Sequence, residues 1–193
     1  MSEIEKLLSG GQRSLNLDNP KEALSFYEKI LDQNPAHLEA LLKKGNIFGR
    51  FGRFDDAILC YDAILLQENE NPLALLNKGL CHHNIGQYDV AICCFNLVLK
   101  TKPQSKTALY NKSSSIIKSG KLKEGLEILS QLINLDSSYK EQAKHDVDFV
   151  DIKLLNEFKE SFKIPSIKDI NAESVVDLYE NMRPFFPYFQ DNS

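Results

Sequence analysis

One period constrains this chain more than anything in its composition. Gly11, Gly45 and Gly79 lie 34 residues apart, and Ala23, Ala57 and Ala91 keep the same interval, each twelve residues after its glycine. An aromatic follows each alanine by four positions (Tyr27, Tyr61, Phe95), and Pro35 and Pro103 follow two of those aromatics by eight. Each period holds two stretches with apolar residues at helical spacing. In the second copy Leu38, Leu41, Leu42, Gly45 and Phe48 mark one face, a turn falls near Gly52, and Phe54, Ala57, Ile58, Tyr61, Ile64 and Leu65 mark the next. The third copy repeats the pattern through Leu75, Gly79, His82, Tyr88, Ala91, Phe95 and Val98. A two-helix unit that recurs at fixed length leaves apolar faces open at both ends, so it must stack on its neighbours. Gly and Ala, the smallest residues, fall where paired helices approach closely, and the aromatics fill the wider space beside them.

These positions resemble the tetratricopeptide repeat family, whose pattern places Gly, then Ala twelve later, then an aromatic and a Pro. The resemblance implies an all-α, right-handed superhelical solenoid of helix-turn-helix repeats. Four copies are read at residues 4–37, 38–71, 72–105 and 106–139. The departures are local. Leu7, Leu41, Leu75 and Leu109 replace the family's Trp, and the fourth copy has Ser113 for the first small residue, Gly125 for the Ala and Leu129 for the aromatic.

After Tyr139 the period fails but a helical pattern continues. Ala143, Val147, Val150, Leu154, Leu155, Phe158 and Phe162 form one stripe, which predicts a helix near 141–162 that caps the last repeat. Pro165 ends it, and a shorter helix is expected to run to about Met182. The last segment carries Phe185, Phe186, Tyr188 and Phe189 between prolines, which excludes regular helix. Residues 140–193 are thus expected to form a second region of capping helix, short helix and aromatic tail.

In the family the first helix of each unit lines a concave groove that takes a peptide or a partner helix. Carried over by register, the resemblance implies a groove wall of Leu42, Lys43, Asn46 and Arg50, then Leu76, Asn77, His83 and Asn84, then Tyr110, Asn111 and Lys118. Asn amides can donate to and accept from a peptide backbone, and the cations can hold a carboxylate. Leu42, Leu76 and Tyr110 would supply apolar contact. Read as surface residues, Asn46 and Asn77 should be replaceable by alanine without effect on melting. Some family members clamp a C-terminal carboxylate. Asn46 and Asn77 fit two of those places, but Leu42, Thr107 and Asn111 stand where the clamp needs cations.

Other chemistries lack their residues. Cys81, His82, His83, Cys93 and Cys94 are metal-ligand types, but their spacing on two antiparallel helices points them in several directions, so no metal is expected. Ser9-Gly10-Gly11-Gln12 lacks the downstream Gly-Lys-Ser/Thr of a phosphate loop, and no catalytic triad or metalloprotease motif occurs. The expectation is a non-catalytic module without cofactor that binds a protein or peptide. The alternative is a self-associating structural protein whose groove takes its own or a neighbour's aromatic tail.

Charge is consistent with a protein partner. Residues 1–139 carry 16 of the 23 Lys and Arg and 16 of the 27 Asp and Glu, so the net charge of -4 resides entirely in the remainder. A neutral array offers no attraction for nucleic acid. The first fifteen residues lack the apolar core of a secretory signal and no stretch approaches a membrane span, which predicts a cytoplasmic protein with reduced cysteines.

Overall fold

Helix starts recur with the sequence period in the computed structural model, which describes residues 2–149. Four helix pairs follow one another: α1 (Glu3–Asn16) with α2 (Pro20–Gln33), α3 (Leu38–Arg50) with α4 (Phe54–Leu65), α5 (Pro72–Asn84) with α6 (Tyr88–Thr101), and α7 (Lys106–Lys118) with α8 (Leu122–Leu135). From α1 to α8 each helix packs against its neighbours in this series. The chain divides into two compact units, Met1–Ser137 and Ser138–Ser193.

Local sequence sets the helix boundaries. Ser2 and Glu5 form a reciprocal capping box on α1, with Glu5 N donating to Ser2 Oγ (3.2 Å) and Ser2 N to Glu5 Oε2 (2.7 Å). Asn19 and Asn71 cap α2 and α5 ahead of Pro20 and Pro72, while His37 and Ser105 cap α3 and α7. All four turns within the pairs close alike, with a backbone bond from Asn19, Arg53, Gln87 or Lys121 back to Ser14, Phe48, His82 or Ile116. That closure needs a left-handed residue, supplied by Gly52 (φ 71°), Gly86 (φ 78°) and Gly120 (φ 89°), and in the first turn by Asp18 (φ 53°).

The core is a series of clusters, each crossing a repeat boundary. Leu7, Ala23, Tyr27, Ile30, Ala40 and Ile47 join α1 and α2 to α3. Leu41, Phe48, Ala57, Tyr61, Ile64 and Ala74 join α3 and α4 to α5, and Leu75, Val98 and Ala108 join α5 and α6 to α7. Burial therefore accumulates by stacking, as in other arrays. The periodic alanines are fully buried, and a Cβ added at Gly11, Gly45 or Gly79 would meet the ring of Tyr27, Tyr61 or Phe95.

The fourth pair shows why its sequence drifts. Ser113 Oγ donates to Gly125 O (2.7 Å) across the pair, and a Cβ at Gly125 would strike Ile117. Here the small residue required for close approach sits on the second helix, and a buried serine is satisfied by the backbone that glycine exposes.

In the second unit α9 (Ser138–His145) is followed by a short 3-10 turn, Val147–Phe149. This corrects the expected continuous helix. Asp146 Oδ1 accepts from Asp148 N (3.0 Å), and that local bond competes with helix continuation. The expected remainder of that helix, the short helix to Met182 and the aromatic segment lie outside the described residues.

Candidate functional site

The first helices of adjacent pairs approach one another, α3 meeting α5 and α5 meeting α7, which sets them side by side along one face of the first unit. Side-chain bonds run between them at nearly constant separation. Lys43 Nζ donates to Gln12 Oε1 (2.8 Å), linking α3 to α1. Asn77 Nδ2 donates to Asn46 Oδ1 (2.9 Å), linking α5 to α3 at the same register. His83 Nδ1 lies 2.8 Å from Ser115 Oγ, linking α5 to α7. Ser115 Oγ also lies 2.9 Å from Asn111 O, one turn earlier on its own helix.

The sequence-derived wall residues separate into three kinds. Asn46, Asn77 and Lys43 form the cross-repeat bonds just described, with Leu42 and Leu76 half-buried beside the core clusters. Arg50 and Lys118 are exposed, Arg50 Nη2 standing 3.2 Å from Asp18 Oδ1. Asn84 and Asn111 turn back onto their own helices, donating to Leu80 O (2.7 Å) and Thr107 O (2.9 Å). His83 also places its ring edge-on to Tyr88, with centroids 5.4 Å apart. Tyr110 is 4% exposed, so it contributes little open apolar area.

Asn46 has a second duty that surface reading misses. The hydroxyl of Tyr61, a residue 2% exposed, donates to Asn46 Oδ1 (2.9 Å). Replacing Asn46 by alanine removes the acceptor of a buried phenol, which corrects the expectation of unchanged melting. The register held the signal: Asn46 precedes its aromatic by fifteen residues, and Gln12 precedes Tyr27 by the same interval. Gln12, one methylene longer, instead donates to Asn16 Oδ1 (3.0 Å) and accepts from Lys43, and the Tyr27 hydroxyl is buried without a partner among the described residues. Gln12→Asn should therefore recreate the bond seen in the second repeat. The expected gain is about 1 kcal/mol, read as a higher midpoint in urea unfolding with unchanged slope; an unchanged midpoint would show that the amide does not reach Tyr27.

The buried thiols are poorly suited to reaction. Burial pushes Cys81 up to about 11 and raises Cys60 and Cys94, which keeps all three protonated near neutrality. His82 Nδ1 is held 2.7 Å from Gln87 Oε1. Among the described residues no group of three or more His, Cys, Asp or Glu side chains is placed to hold a metal ion. Among them, too, no helix is long and apolar enough to cross a membrane.

Comparison with known proteins points to one family. The sequence profile of the tetratricopeptide repeat matches residues 15–76, and that of the anaphase-promoting complex, cyclosome, subunit 3 matches residues 51–132. No curated protein matches the chain in sequence. MamA from Desulfovibrio magneticus RS-1, residues 41 to the end, is similar in structure with a TM-score of 0.69 at 22% identity, covering 85% of this chain and 96% of that one. The TPR domain of Arabidopsis OM64 gives a TM-score of 0.55 at 21% identity, over 58% of this chain and 93% of that domain. Such identities show the fold. It is a fold in which stacked helix pairs present extended surfaces. The repeats of the first unit are of the tetratricopeptide type, matched by these two profiles over residues 15–132.

Proposed function

We propose that the inner wall of the first unit binds an extended segment of a partner protein, with the Asn46–Asn77 pair as its polar centre. One observation carries this. Asn46 Oδ1 is consumed by Tyr61 and Asn77, which fixes both amides in place and leaves Asn46 Nδ2 as a donor and Asn77 Oδ1 as an acceptor. A donor and an acceptor held side by side match the C=O and N–H of an extended backbone. Leu42 and Leu76, at the same register position in successive repeats, flank them with apolar area. Arg50 and Lys118 add exposed cations at the far ends of α3 and α7, where a partner carboxylate would be held. Pre-ordering of the amides lowers the entropic cost of capturing a flexible segment.

The test uses peptides selected from a random display library against the full chain, with affinity measured by fluorescence anisotropy. Asn46→Asp keeps an acceptor for Tyr61 and removes the free donor, so binding should fall at least ~10-fold while melting is retained. Asn46→Ala should weaken binding and also cost about 1–2 kcal/mol of stability, because the Tyr61 hydroxyl loses its partner. Peptides that bind both variants as tightly as the parent would remove the amide pair from the site.

A further inference from the structure

The outer faces of the middle repeats break the pattern of the outer ones. In α2 the outward register positions hold Glu22, Ser25 and Lys29, and in α8 they hold Glu124, Glu127 and Gln131. In α6 the same positions hold Val90, Cys93 and Leu97, all exposed, with Val90 at 43% and Leu97 at 45%. In α4 they hold Asp56, Leu59 and Ala63, and one turn on lies Leu66; Leu59 is 67% and Leu66 89% exposed. Both helices already bury an opposite face: Ala57, Tyr61 and Ile64 in α4, and Ala91, Phe95 and Val98 in α6. A helix that is apolar on both sides is one that is covered on both sides.

From this we infer that the outer face of α6, with α4 beside it, is where two copies of this chain pair about a twofold axis near Cys93. At 100° per residue, Val90, Cys93 and Leu97 fall within an arc of about 60°, a single ridge. The ridge is self-complementary when reversed. Antiparallel pairing sets Val90 of one copy against Leu97 of the other, with Cys93 within about 1 Å of the axis along the helix. Charge agrees with that direction. Asp89 stands at the N-terminal end of the ridge and Lys100 at its C-terminal end, so reversal brings opposite charges together at both ends. Their present partners are exposed and readily exchanged: Asp89 lies 3.8 Å from Lys121, and Lys100 lies 3.4 Å from Glu70. The surface is separate from the inner wall, so a dimer paired this way leaves both grooves open.

Cys93 is the exposed cysteine; Cys60, Cys81 and Cys94 are buried. Facing helices at ordinary packing distance bring Cα atoms near their crossing point within disulfide range. The full chain should therefore sediment at micromolar concentration as a species of twice 21.9 kDa. Mild copper-phenanthroline oxidation should link it covalently, and Cys93→Ser should abolish the link. Leu97→Glu, on an exposed position, should weaken pairing at least ~10-fold and suppress the Cys93 crosslink with helicity unchanged. Ser25→Cys in a Cys93→Ser background, the same register position on polar α2, should not crosslink. A monomeric parent chain, a dimer that survives Leu97→Glu, or equal crosslinking through Ser25→Cys would each overturn the assignment.

Discussion

Phe95→Ala is expected to lower the unfolding free energy by about 3–5 kcal/mol, the largest loss available to a single truncation here. The ring is fully buried and lies against Gly79, whose missing side chain is what admits it. No neighbour can collapse into the gap easily. On one side stands α5, held by its Asn71 cap and the Leu75 cluster, and on the other the backbone of α6 itself. The site is also central. Stability in an array is nearly a sum of repeat terms and nearest-neighbour interfaces, so weakening the third pair uncouples the fourth from the first two. Urea unfolding of Phe95→Ala should show a lower midpoint and a broadened or split transition. A loss below about 1 kcal/mol with one sharp transition would mean that the ring is not what joins the third pair to its neighbours.

The same position shows what could be read before the structure. Gly79, Ala91 and Phe95 announce a helix pair because each obeys a steric rule that repeats unchanged, and three copies of one rule fix the period. The fourth pair was legible as drift and not as a solution, since Ser113 and Gly125 exchange roles and only coordinates show serine bonding to the glycine carbonyl. That these residues share the face of the first helices was legible by register, but partnership was not. Asn84 and Asn111 occupy wall positions like those of Asn46 and Asn77, yet a turn-back bond to a carbonyl four residues earlier removes them from the shared network. Whether an amide reaches across or folds back depends on its neighbour one repeat away, and Leu80 offers Asn111 no acceptor where Asn46 offers Asn77 one. At the other end, the apolar stripe from Ala143 onward reads as one helix because periodicity is blind to Asp146, which ends α9 by a local bond.

Two glycines in helices should respond to larger side chains with opposite sign. Gly79→Val is expected to destabilise by about 3 kcal/mol: a Cβ there would lie 2.6 Å from Phe95 Cε1 and 3.1 Å from Cys94 Cβ, and valine adds two methyl groups to that clash. The ring cannot swing away, because it is enclosed on every side. Gly49, near the end of α3, has nothing within 4 Å of an added Cβ. Gly49→Ala should therefore stabilise by about 0.5 kcal/mol, through the backbone entropy that glycine loses on folding. Composition makes the two residues alike; only Gly79 repeats at the period, and only Gly79 has a ring above it. Thermal melts of both variants decide the matter. If Gly49→Ala also destabilises, or Gly79→Val melts with the parent, the 34-residue glycines are not the contact points on which the helix pairs close.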